Sequence, residues 1–81
     1  MVTVARVQTG LRMERNTLKV LKGLAEYFDL SLGDLVEGIV LHAFEGKAPF
    51  GSPTLAKIEQ LKTVYGLTLT AADAHSLAEQ P

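Results

Sequence analysis

The sequence predicts a mostly α-helical chain with one short strand near its start, then two amphipathic helices and one or two further helices. Three observations predict it. Over Arg6–Met13 the side chains alternate: Val7, Thr9, Leu11 and Met13 form one set, Arg6, Gln8, Gly10 and Arg12 the other. A two-residue period places such sets on opposite faces of a strand. The period then becomes helical, with Leu18, Leu21, Leu24, Ala25 and Phe28 recurring at steps of three and four, followed by Leu32, Leu35, Val36, Ile39, Val40 and Ala43. Finally, one strand cannot satisfy its own backbone hydrogen bonds or make a sheet. The expected solution is a second copy of the chain.

Each element has local reasons. Residues 1–5 (MVTVA) are β-prone, and either extend the strand or fray; the strand proper is expected over Ala5–Met13. Gly10 inside it suggests a close backbone approach. The first helix should run from Glu14 or Arg15 to Tyr27 or Phe28, with Glu14 favourable to the helix dipole and Asp29 as its end. Gly23 in its middle costs up to ~1 kcal/mol relative to Ala and suggests close helix packing. Ser31 is the N-cap candidate of the second helix, with Asp34 three residues on and Gly46 as the stop. The apolar stripe of this helix is wider than the first helix can cover, so most of it is expected to meet the partner chain.

Pro49 and Gly51 break the chain at residues 47–52, and Ser52-Pro53 reads as a cap followed by proline at the first helical position. Leu55, Ile58, Leu61 and Tyr65 mark a third helix that ends at Gly66. Thr70 and Asp73 are expected to open a short fourth helix over Ala71–Glu79, apolar mainly through alanine. Residues 1–46 thus form one predicted unit and residues 47–81 a helical extension.

Composition narrows the function. At 81 residues the chain is one small domain, of a size at which oligomerisation often supplements the core. It has no cysteine, which removes disulfides, thiol catalysis and thiolate metal sites. No apolar run approaches the ~18 residues of a membrane span, and MVTVARVQTG lacks the pattern of a secretory signal. A cytoplasmic protein without membrane contact is the expectation. The net charge of −1 hides an asymmetry: residues 1–22 carry five cations against Glu14, net +4, and residues 23–81 carry three lysines against eight carboxylates, net −5. A basic segment around a strand suggests a polyanion-facing surface, or else a solvated basic edge.

The alternating RVQTGLRM stretch and the DLSLGDLVEGI segment resemble the ribbon-helix-helix family of DNA-binding proteins, of MetJ and Arc type, over Arg6–Gly46. Asp29 stands where that family often has glycine, and Gly33 where it often has a second Ser, Thr or Asn. The resemblance implies a homodimer whose strands pair as an antiparallel ribbon in the major groove, and a second helix whose N-terminal amides contact phosphate. Arg6, Gln8 and Arg12 would then contact bases, while Ser31, Leu32, Gly33 and Arg15 would contact phosphates. Val7, Thr9, Leu11, Leu35, Ile39 and Val40 would form the dimer interface.

The residue chemistry is compatible with that implication. A major groove admits a two-stranded ribbon, and Arg and Gln match the edges of guanine and adenine. Unpaired amides at a helix start favour a phosphate oxygen. Arg15, Lys19 and Lys22 either add backbone contacts or only solvate their helix.

Other chemistries find little support. His42 and His75 lie on separate predicted helices, so neither a metal site nor any other cofactor is expected. Gly33, Gly38 and Gly46 punctuate a helix instead of opening one after a strand, so there is no phosphate loop. Asp73 and His75 stand two apart, a spacing that points helical side chains away from each other. An enzyme is not expected. The expected function is sequence-specific binding of double-stranded DNA, as a transcriptional regulator. The competing expectation is a dimeric interaction scaffold or antitoxin-like module whose C-terminal helices bind a partner protein.

Overall fold

The computed structural model describes residues 1–80. Three helices carry the fold: α1 (Arg15–Phe28), α2 (Leu32–Phe44) and α3 (Ser52–Tyr65), followed by a single 3₁₀ turn at Ala71–Asp73. The mostly helical class matches the sequence expectation, and α1 and α2 lie where periodicity places them.

The helix ends follow from local chemistry. Glu14 caps α1 outright, its carboxylate accepting from the amides of Asn16 and Thr17 at 2.9 and 2.8 Å. Asp29 ends α1 in the left-handed region at φ 57°, and its own amide and that of Leu30 return to the carbonyls of Glu26 and Ala25. Two residues on, Ser31 caps α2, its hydroxyl accepting from the Asp34 amide at 3.1 Å. Gly66 closes α3 at φ 68°. At the other end of α3 the expectation is corrected by one residue. Gly51 is the N-cap and Ser52 the first helical residue, with no side-chain cap bond.

The core is small, and it joins both predicted units. Leu24, Ala25 and Leu35 form its centre, packed by Leu21 and Ile39 from α1 and α2 and by Phe50, Ile58 and Leu61 from the C-terminal part. α3 lies against α1, and Gly23 makes that approach close: a Cβ there would meet Leu61 Cδ2 at 3.1 Å and Tyr65 Cε2 at 3.5 Å. The expected close packing at Gly23 is therefore real, and its partner is α3. Lys57 also spans the two helices, its ammonium 4.8 Å from the Tyr27 ring centroid. Phe50 and α3 thus pack on the same core as α1 and α2.

Three expectations are corrected. No strand occurs among the described residues; residues 1–13 run outside any regular element because one chain offers them no ladder. The expected fourth helix shrinks to the 3₁₀ turn. Ala74 leaves the helical region at ψ 138° and His75 turns left-handed at φ 67°, while the alanines offer little area to bury. Gly10 makes no close approach, since nothing lies within 4 Å of where its Cβ would stand.

The chain exposes more surface than its size explains. Its accessible area is 6888 Å², whereas a folded monomer of this mass exposes about 4,700 Å². The radius of gyration is 13.8 Å, against about 12 Å for a compact chain of this length. Val7 and Leu11 in the N-terminal segment, and Leu41 and Phe44 on α2, all lie open to solvent.

Candidate nucleic-acid interface

A groove of about 920 Å³ separates the N-terminal segment from the middle of α1 and the start of α2. Of the residues predicted for DNA and dimer contacts, Arg6, Val7, Gln8, Thr9, Leu11, Arg12, Leu32 and Gly33 all line it, together with Lys22. Its apolar wall comes from Leu18 and Leu21 of α1 and from Leu32 and Val36 of α2. The groove lies where the turn at the left-handed Asp29 and the capping Ser31 sets the start of α2 beside α1, and the N-terminal segment folds back over both.

Arg6 holds that segment in place. Its Nη1 donates to Glu37 Oε1 at 2.7 Å and its Nη2 to Asp34 Oδ1 at 3.1 Å, both acceptors on α2. Arg12 pairs with Glu79 at 2.7 Å. Sequence reasoning missed both sets of partners. Asp34 and Glu37 stand three apart on α2 and so share a face, a signal that was present. Glu79 is 67 positions from Arg12, and no pattern in the sequence announces it. Gln8 and Arg15 are exposed. Arg15 lines a second groove, of about 810 Å³, with Arg12 and the C-terminal residues Leu77–Gln80.

At the start of α2 the amides of Asp34 and Leu35 are satisfied by Ser31, while those of Leu32 and Gly33 have no acceptor among the described residues. Gly33 faces open space. Two unpaired amides at the positive end of a helix suit an anion. The carboxylate of Asp34 opposes this; within the single chain the Arg6 guanidinium lies beside it.

Two of the predicted interface residues are used differently. Leu35 is buried within its own chain at the centre of the core, so it has no face left for a partner. The cover comes from Phe50 and α3, which return to α1. Ile39 is half-buried against that core, and Val40 is exposed.

Glu14 is held in its ionised form by the amides it caps. Its pKa lies below the ordinary glutamate value, first because the Asn16 amide and then the Thr17 amide donate to the ionised carboxylate. His42 is exposed, with Nδ1 donating to the Gly38 carbonyl at 2.6 Å. Among the described residues no three histidine or carboxylate groups gather closely enough to hold a metal ion, and no helix is long and apolar enough to cross a membrane.

No protein-family model, curated protein or solved structure matches the chain.

Proposed function

We propose that the chain works as a homodimer of ribbon-helix-helix type that binds double-stranded DNA in a sequence-specific way, as a cytoplasmic transcriptional regulator. The observation that carries this is the N-terminal segment: alternating, unpaired and solvent-exposed, it runs beside two free amides of α2. Two such segments pair antiparallel across a two-fold axis. Val7, Thr9 and Leu11 turn towards the helices of the pair, and the face of Arg6, Gln8 and Arg12 enters the major groove. Arg12 and Arg6 then reach guanine edges and Gln8 adenine, while Ser31, Leu32, Gly33 and Arg15 hold the phosphates.

The ion pairs of Arg6 and Arg12 do not prevent this. Solvent-exposed pairs are worth about 0–1 kcal/mol, and a good bidentate contact gives about 1–3 kcal/mol of discrimination against the wrong base. Arg12 gives up one exposed carboxylate, and Arg6 gives up two, for the guanine edge. The test is retention of mixed-sequence genomic duplex fragments over a salt series, followed by sequencing of the bound fraction. Binding that falls steeply with salt and enriches a short pseudo-palindrome is the expected result. Replacing Arg6 and Arg12 together with Ala should weaken binding by at least about thirtyfold, with the dimer and its helicity unchanged. Absence of binding even at low salt refutes the proposal.

A second function, as a dimeric scaffold or antitoxin-like module for a protein partner, is favoured by one observation. Arg6 and Arg12 are already paired within the chain, with carboxylates of α2 and of the tail, while Leu41 and Phe44 on α2 and Val64 on α3 stand open.

A further inference from the structure

The C-terminal tail returns to the DNA face. After α3 the chain turns at Gly66, whose φ is 68°, and the Leu67 amide donates to the Lys62 carbonyl. Asp73 then closes the next turn on the Thr70 amide at 2.8 Å. The Ser76 amide donates to the Asp73 carbonyl, and His75 at φ 67° redirects the chain once more. These turns bring Leu77–Gln80 opposite Arg12–Asn16 across the 810 Å³ groove, with Glu79 on Arg12 at 2.7 Å. The carboxylate occupies the guanidinium that the proposed function assigns to a base edge, and the tail lines the same groove as Arg15.

We propose that residues 74–80 are an autoinhibitory strap, with the Glu79 carboxylate competing with DNA for Arg12; this rests on the DNA-binding function proposed above. The strap is set to yield. Both side chains of the pair are more than half exposed, at 85% and 64%, so water and salt weaken it and a duplex displaces it. Its effect is to raise the threshold for weak, non-specific sites, where phosphate attraction alone must open the pair. A cognate site that offers guanine to Arg12 opens it readily. Arg6 is restrained in a separate way, by Asp34 and Glu37 of α2, and is unaffected by the tail.

The experiment measures affinity for a mixed-sequence 30-base-pair duplex at low and at physiological salt, with the whole 81-residue chain. The variants are Glu79→Gln and, as a control for net charge, Glu59→Gln, whose carboxylate pairs with Lys62 on α3. Glu79→Gln should bind about two- to five-fold more tightly, the range an exposed ion pair allows. Glu59→Gln should match the wild type. Equal tightening by both variants reduces the effect to overall charge and overturns the strap. If the wild type binds and neither variant differs from it, the strap fails while DNA binding stands. If no protein binds DNA at low salt, both proposals fall together.

Discussion

Leu11→Ala separates a lone chain from a dimer more cleanly than any core substitution. Leu11 keeps 73% of its surface exposed in one chain. If nothing covered it, the substitution would cost under about 0.5 kcal/mol, as surface changes usually do. If the N-terminal segments pair, this surface is buried twice per dimer. The change removes three carbons worth about 0.8 kcal/mol each on burial, so the exposed share gives about 1–2 kcal/mol per chain and about 2–4 kcal/mol per dimer. That corresponds to a rise of roughly thirty- to a thousandfold in the dimer dissociation constant. Sedimentation equilibrium over a wide concentration range reads that constant, and circular dichroism checks that α1, α2 and α3 persist in the variant. A wild-type chain that sediments as a folded monomer throughout, or an unchanged constant for Leu11→Ala, would refute the paired ribbon.

Further predictions concern the protomer. Gly23→Val drives a branched side chain into a site where even a Cβ meets Leu61 at 3.1 Å. It should destabilise the fold by about 1–3 kcal/mol in urea melts, and a variant as stable as the wild type would show that α3 does not rest on α1 there. Glu14 ionises more readily in the folded chain than in the unfolded one. Its stabilising contribution is therefore complete above the ordinary glutamate pKa and disappears as pH falls through the lowered folded value. Thermal melts from neutral pH down to about 3 should show this loss, and Glu14→Gln should flatten it; identical pH profiles for the two proteins would exclude Glu14 as the cause.

Features that depend on near neighbours were legible in the sequence. Ser31 caps α2 because its hydroxyl needs only an amide three residues away, and Asp29 and Gly66 stop helices by their own backbone tolerance. The third helix was legible for the same reason. Features set at long range were not. Leu35 reads as an interface residue because the return of Phe50, Ile58 and Leu61 to cover it leaves no mark on the periodicity of α2. Thr70 and Asp73 signal a helix start correctly, yet nothing in that pair predicts that Ala74 will leave the helix at once. The alternation of Arg6–Met13 states which faces a strand would present, and pairing depends on what lies alongside. The acceptors of Arg6 were within reach of a closer reading of the face shared by Asp34 and Glu37, whereas Glu79 reaches Arg12 only through three successive turns.

Thirteen residues without a ladder also have a kinetic meaning. A backbone outside regular structure, whose amides find no partner in its own chain, is the form a protease cleaves most easily. If a second copy covers residues 1–13, cleavage requires dissociation, and its rate tracks the population of single chains. The lifetime of the protein would then depend on its own abundance: scarce chains are trimmed, and abundant ones protect each other. Limited proteolysis at falling concentration would thus measure the dimer constant from the N-terminus alone.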